Sequence, residues 1–332
     1  MPLLEFSPNG IYCPQGDFYI DPWKPVHRAI ITHAHADHAR REHKYYLAHK
    51  HSEEVLRLRL GADIVLTTVE YGEFLHINGV RVSLHPAGHI IGSSQVRVEY
   101  RGEIWVVSGD YKTYDDGISG MFEPVRCHTF VTESTFGLPI FRWKPQQEIY
   151  AAINAWWQQN RDEGRVSILC GYALGKAQRL MKGLDTSIGN IYVHGAVANV
   201  NEALAQSGLQ LPAWRRIEAA AGKQEWRGSI IIAPPSALNT NWMRRFQPYS
   251  TAIASGWMQL RGNKRRAAVD RGFVLSDHAD WEGLLSAIEA TQAQQVLVTH
   301  GYTHIFSRYL QEKAIDAQAV ETLFEGEPIS AE

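Results

Sequence analysis

The chain has 332 residues, 45% of them apolar, and a formal net charge of −2. That length and balance describe a soluble globular protein with a substantial core and exclude a fibrous or disordered one. No run of about 18 apolar residues suggests a membrane helix, and the N-terminus lacks the basic start and apolar stretch of a secretory signal. Three cysteines, Cys13, Cys127 and Cys170, are odd in number and far apart. They exclude a disulfide framework and suit a reducing cytoplasm. With so little net charge, any binding of nucleic acid has to come from local patches and metal ions.

In chain order, the first third is a run of strands separated by turns such as Asn78-Gly79 and Arg101-Gly102. Strands are predicted at 18–21, 29–32, 63–68, 80–86, 94–100, 104–110 and 129–135, with a helix near 52–60. After Gly137-Leu138-Pro139 the character changes to alternating strands and helices. A helix over 146–161 is followed by a strand at 166–172, a helix near 176–184, and strands at 190–195 and 229–235. That alternation predicts parallel strands with crossover helices. Residues 272–280 lead into a helix over 281–290, a strand at 295–301 and a final helix near 306–314. The fold class is α/β: one body interrupted from about 139 to 268 by a smaller α/β domain, so that 1–138 and 269–332 belong together.

The central feature is Thr32-His33-Ala34-His35-Ala36-Asp37-His38, which puts four potential ligands within six residues directly after an apolar strand. In an extended or turning segment His33 and His35 point one way and Asp37 and His38 another, so one short loop can serve two neighbouring ions. Imidazole with carboxylate is a ligand set for zinc or manganese. Two later polar residues stand at strand ends, where α/β proteins build sites. His89 lies in Gly88-His89-Ile90-Ile91-Gly92, and Asp110 follows Gly109. A turn histidine and a capping aspartate are the plain alternatives for these two.

In order along the chain, His33-x-His35-x-Asp37-His38, His89 and Asp110 resemble the metal motifs of the metallo-β-lactamase superfamily. Asp21 is similar to its first motif, an aspartate that supports the metal loop from behind. Glu133 in TEST, His278 in SDHAD and His300 in THG resemble the three extra motifs of the β-CASP branch, which contains RNase J, the cleavage and polyadenylation endonuclease and Artemis-like nucleases. TESTFGLPIFRW, GYALGKAQRL, SGWMQLRGNKRR and GFVLSDHADW look like the bacterial ligase-associated DNA exonucleases, a group also described as mRNA 3′-end processing factors. The resemblance covers nearly the whole chain. It implies an αββα sandwich with a small inserted β-CASP-like domain.

It further implies two divalent ions, manganese or zinc. One would be held by His33, His35, His89 and Asp110, the other by Asp37, His38, Asp110 and His300, with Asp37 also counted among the catalytic groups. His278, oriented by Glu133, would protonate the leaving oxygen; a metal ligand or a structural histidine are the alternatives. The implied activity is DNA exonuclease in repair, in the cytoplasm, with an ATP-dependent DNA ligase and a helicase as partners. Rival readings are an RNA-processing nuclease, a small-molecule hydrolase of the glyoxalase or lactamase kind, and a metal-dead binding module.

Between Asn239 and Arg271 stand seven basic residues, Arg244, Arg245, Arg261, Lys264, Arg265, Arg266 and Arg271, with Asp270 the single acid. Phosphate contacts there would give salt-sensitive binding, with a solvated face as the alternative. Trp242, Phe246 and Trp257 are interleaved and suit base stacking or core packing. Lys176, Arg179 and Lys182 recur every three residues on a predicted helix, which predicts a basic face that contacts the substrate backbone. The glycines of Gly171-Tyr-Ala-Leu-Gly175-Lys176-Ala177 are one residue short of a phosphate loop, and Ala177 replaces its Ser or Thr.

Overall fold

A computed structural model describes residues 2–217 and 226–324. The chain begins with a six-stranded sheet in sequence order: β1 Glu5–Ser7, β2 Gly10–Cys13, β3 Phe18–Ile20, β4 Arg28–Ile30, β5 Tyr45–His49 and β6 Leu66–Val69. The first three strands pair antiparallel, and β3 to β6 run parallel. Helix α1, Glu53–Leu60, connects β5 to β6 and buries Val55, Leu56 and Leu60.

An antiparallel meander follows: β7 Phe74–Ile77, β8 Val80–Pro86, β9 Ser94–Tyr100 and β10 Glu103–Val107, with β11 Thr129–Ser134 parallel to β10. All six residues of β11 are buried, as befits a strand with neighbours on both edges and layers on both faces.

The chain then enters a separate unit, residues 143–277. Its helices are α2 Gln146–Asp162, α3 Lys176–Lys182, α4 Gly195–Gln206 and the short α5 Asn263–Arg266. Its strands are β12 Val166–Cys170, β13 Ile191–Val193, β14 Arg215–Arg216, β15 Ile230–Ala233, β16 Tyr249–Ala254 and β17 Arg271–Phe273, ordered β14-β13-β15-β12-β16-β17 and all parallel. Ile230 and Ile232 pack with α2 and α3, whereas Ile231 packs on the other face with Trp226, Met243 and Phe246. That alternation is the two-residue period of a strand covered on both faces.

The return segment adds α6 Trp281–Thr291, β18 Gln295–Gly301, α7 Thr303–Glu312 and β19 Asp316–Ala319. β18 pairs with β11 and β19 with β18, both parallel, completing a seven-stranded sheet ordered β19-β18-β11-β10-β9-β8-β7. Residues 278–324 thus belong with 2–142 in one unit. One core lies between the two sheets, built from residues such as Phe18, Ile30 and Leu47 with Val82, Val96 and Val131. A second lies between the seven-stranded sheet and α6 and α7, through Trp281, Leu284, Phe306 and Leu310. This is the αββα sandwich of the metallo-β-lactamases, accompanied by a β-CASP-like parallel sheet. Among the described residues no helix is long and apolar enough to cross a membrane.

Candidate metal centre

The residues that converge lie at the ends of strands in the sandwich unit. After β4 the backbone stays tied to its neighbours: Ile31 N–H donates to Leu47 O, and Ser94 N–H to Thr32 O, both at 2.8 Å. The chain then turns, with the N–H groups of His38 and Ala39 both reaching His35 O, at 3.3 and 2.8 Å. Ala34 and Ala39 are buried in the turn. Gly109 has φ +57°, and a Cβ there would stand 2.7 Å from Cβ of Thr32. A glycine therefore lets the end of β10 approach the histidine loop and deliver Asp110 to it.

The carboxylate of Asp110 is the common point. Its Oδ2 lies 3.5 Å from Nε2 of His33, 3.5 Å from Nε2 of His38 and 3.8 Å from Nε2 of His89. Its Oδ1 lies 3.7 Å from Nδ1 of His300. Nδ1 of His35 is 3.0 Å from Nε2 of His89, and Oδ2 of Asp37 is 3.6 Å from Nε2 of His38. Among the described residues four groups offer ligand atoms within 4.8 Å of one another: His33, His35, His89 and Asp110; Asp21, His33 and His38; Asp37, His38 and His300; and Asp110, Glu133 and His278.

Hydrogen bonding behind the site assigns the ring protons. Asp21 accepts from the Thr32 N–H (2.7 Å), the Thr32 hydroxyl (2.5 Å) and Nδ1 of His38 (2.7 Å). With its proton given to Asp21, the Thr32 Oγ1 accepts from Nδ1 of His33 at 3.0 Å. Both rings therefore carry a proton on Nδ1 and turn Nε2 inward, the orientation by which a supporting carboxylate or hydroxyl prepares a metal-binding histidine.

Nε2 of His33, Nε2 of His38, Oδ1 of Asp110 and both ring nitrogens of His300 are buried and make no hydrogen bond among the described residues. Buried polar atoms are rarely left so, and several converging on one point fit a cation. A small void of about 10 Å³, lined by Asp21, His38, Asp110, Glu133 and His300, has room for one water-sized species. His300 itself sits at φ +57°, an uncommon backbone conformation for a non-glycine residue, and its carbonyl accepts from the Ser134 hydroxyl at 2.6 Å.

The electrostatics agree with a site built for positive charge. Burial would raise the pKa of Asp110, but His38, His300 and His278 outweigh it and hold the carboxyl well below its usual range. Burial and the field of His38 push His33 well below the ordinary imidazole value, so it is neutral. Burial opposes charge on His38 as well, yet Asp110 and Asp37 hold it well above the usual value. The proton on Nε2 of His38 is then one that a bound cation would displace.

Beside Asp110, Glu133 accepts from the Tyr111 N–H at 2.7 Å and the Thr135 hydroxyl at 2.5 Å. Its two oxygens lie 3.0 and 2.9 Å from Nδ1 of His278. This pairing puts the Glu133 carboxylate at Nδ1 of His278, with Nε2 as the other ring nitrogen.

The sequence did not single out Thr32, Thr135 or Phe324. Phe324 stacks on His38 with ring centres 4.4 Å apart and planes 8° from parallel. Thr32 was in view as the neighbour of His33, but a hydroxyl's relay role shows only in three dimensions.

The basic face expected on α3 is corrected. Lys176 and Arg179 are fully buried, paired with Asp277 at 3.0 and 2.9 Å, and only Lys182 of the three is exposed. A buried carboxylate from a distant part of the sequence turns that helix face inward, so neither cation is available to a substrate. In contrast, Arg244, Arg261, Lys264, Arg265, Arg266 and Arg271 are exposed, while Arg245 is half-buried over the rings of Trp226 and Phe246. Trp242 packs edge-on against Phe246.

No family model matches the chain. It is 30% identical over 320 residues to a protein from Opitutus terrae named "Probable DNA ligase", a match that covers 96% of this chain and 31% of that one. It is 23% identical over 308 residues to "Endoribonuclease YSH1" of Saccharomyces cerevisiae, covering 73% of this chain and 38% of the relative. The chain thus spans under two-fifths of the length of these relatives. A crystal structure of a protein of unknown function from Enterococcus faecalis V583 superposes with a TM-score of 0.60 at 12% identity, covering 90% of this chain and 80% of that one, and so shares the fold. The chain therefore has distant β-CASP metallo-β-lactamase relatives, the YSH1 endoribonucleases, and carries buried His/Asp clusters that could hold a metal ion.

Proposed function

We propose that the protein is a two-metal hydrolase of nucleic-acid phosphodiesters and, within that class, a DNA exonuclease acting in repair. The observation that carries the reading is the convergence of ligand groups on Asp110, with the Glu133–His278 pair beside the same carboxylate. In this reading His33, His35, His89 and Asp110 hold one ion, and Asp37, His38, His300 and Asp110 hold the other. Manganese and zinc both suit that donor set. Two such ions polarise phosphoryl oxygens and lower the pKa of a water. Glu133 keeps the Nδ1 proton of His278 in place, and Nε2 delivers a proton to the leaving oxygen. A glyoxalase-like or lactamase-like hydrolase has no need of that pair.

DNA is favoured because the match to the ligase-named relative runs over nearly the whole chain. On this reading the partners are an ATP-dependent DNA ligase and a helicase. The exposed cations at Arg244, Arg261 and Lys264–Arg266, with Arg245, are proposed to hold the strand. RNA is the second reading, favoured by the likeness to endoribonucleases.

Metal-defined protein offered end-labelled single- and double-stranded DNA and RNA is expected to release mononucleotides from DNA. Cleavage of RNA alone would select the second reading, and cleavage of neither would end both. His278→Ala is expected to keep both metal equivalents and lose about 10²- to 10⁴-fold in turnover. Loss of one equivalent would instead make His278 a ligand.

A further inference from the structure

Lys112 and Asp116 form a buried ion pair two residues beyond Asp110, with side chains 0% and 1% exposed. The proposed mechanism gives this pair no part. We infer that it is a positioning pair: Lys112 fixes the backbone of the loop that carries His89, and so sets that ring within the first ligand group. The inference rests on the metal-site reading above.

An ammonium group has three N–H donors. In Lys112 they face three acceptors: Gly88 O at 2.5 Å, His89 O at 3.4 Å and Oδ2 of Asp116 at 2.7 Å. Asp116 is held in turn by the Ile118 N–H at 3.0 Å, the Ser119 N–H at 2.7 Å and the Ser119 hydroxyl at 2.9 Å. From the other side, the Ser93 hydroxyl oxygen accepts from the His89 N–H at 3.0 Å. The backbone of His89 is therefore gripped through its carbonyl by Lys112 and through its amide by Ser93.

Gly88 makes the grip close. It has φ +72°, and a Cβ there would meet Lys112 O at 2.5 Å. The Lys112 N–H also donates to Ala87 O at 3.0 Å. Asp110, Tyr111 and Lys112 thus divide three tasks at one strand end. Asp110 faces the ligand groups, the Tyr111 N–H holds Glu133, and Lys112 holds the His89 loop. By contrast His38 takes its orientation from Asp21, and the His300 carbonyl from Ser134. Removing the grip should weaken one ion selectively.

The rival explanation is plain charge balance between a buried lysine and a buried aspartate. The double variant Lys112→Met/Asp116→Asn separates the two, because it removes both charges and leaves no unpaired ion. The probe is Zn²⁺ titrated calorimetrically into metal-free full-length protein, with bound metal counted and folding checked by near-UV circular dichroism. His35→Ala and His300→Ala assign the two binding steps. The double variant is expected to lose about 10- to 100-fold in affinity at the step that His35→Ala removes. The step that His300→Ala removes should not move. Lys112→Gln/Asp116→Asn, which keeps an N–H donor, is expected to recover part of the loss. Wild-type affinity at both steps, or equal weakening of both, would overturn the positioning role. Wild-type protein that takes up no Zn²⁺ would overturn the metal site itself.

Discussion

Two buried polar clusters, one in each unit, show how different such clusters can be. In the parallel-sheet unit Lys176 and Arg179 flank Asp277, one cation on each carboxylate oxygen, and the Arg179 guanidinium also reaches Ser276 O and Gln146 Oε1. In the sandwich unit the histidines around Asp110 are oriented with equal care from behind. Yet Nε2 of His33 and of His38, and both nitrogens of His300, are left without a hydrogen bond among the described residues. The first cluster sets its cations against a carboxylate, although Nζ of Lys176 also makes no hydrogen bond among the described residues. In the second, the unbonded atoms belong to several ligand groups that converge on one carboxylate, and that convergence is the difference between the two clusters.

Removing one member of each cluster breaks this comparison most sharply. Arg179→Met removes the guanidinium from Asp277 Oδ1, Ser276 O and Gln146 Oε1 and is expected to cost about 3 kcal/mol in urea unfolding, because buried acceptors lose their donor. Metal uptake should not change. His33→Ala is expected to abolish uptake of one ion, counted by mass spectrometry, while the metal-free protein moves by about 1 kcal/mol or less. If His33→Ala destabilised metal-free protein as much as Arg179→Met, the histidine cluster would be scaffold too.

The same contrast explains what was legible in the sequence. His33, His35, Asp37, His38, His89 and Asp110 were readable because they are polar residues clustered in a loop or standing at the ends of apolar strands, where no structural pattern calls for them. Long strands with clear turns, such as β8 and β9, were equally plain. Strand β5 and helix α4 were not anticipated. Tyr45–His49 has no alternation to mark it, and α4 starts at Gly195 directly after a strand, without a Ser, Thr or Asp cap. The spacing of Lys176 and Arg179 correctly indicated one helix face but not which way it turned. That depended on Asp277, about a hundred residues downstream in sequence and adjacent in the fold.

His43 and His49 sharpen the comparison, since their Nε2 atoms are also buried without a hydrogen bond among the described residues. An orphan ring nitrogen alone therefore does not make a site; convergence with other ligands does. His49 instead stacks on Tyr71 with ring centres 3.5 Å apart, and its Nδ1 accepts from the His51 N–H. Burial lowers the pKa of each ring to about 4. A folded-state value below the unfolded value means that the unfolded chain binds the proton first. Stability from these neutral rings is thus present above about pH 6.5 and is lost as pH falls toward 4. The unfolding free energy of wild type minus that of His49→Gln should shrink by on the order of 2 kcal/mol between pH 7 and 4. A gap that stays constant would mean that His49 is not held neutral by burial.

The smallest expected change in stability belongs to the cations that stayed outside. Lys264, Arg265 and Arg266 lie on α5, which starts after Gly262 at φ +97°, while the buried Asn263 side chain donates to Trp257 O at 2.7 Å. The helix is pinned by Asn263 and presents its three cations to solvent, the reverse of Lys176 and Arg179 on α3. Serine at all three positions should change stability by no more than about 0.5 kcal/mol, because no packing or buried pair is lost. If the ridge holds the substrate strand, the slope of log affinity against log salt for single-stranded DNA should become shallower by about 2, or about 0.7 for each phosphate contact removed. An unchanged slope would leave the ridge as a solvated face. Binding would then rest on the metal site and on Arg244, Arg245 and Arg261, and exposure alone would be no better guide to function than helical spacing was for Lys176 and Arg179.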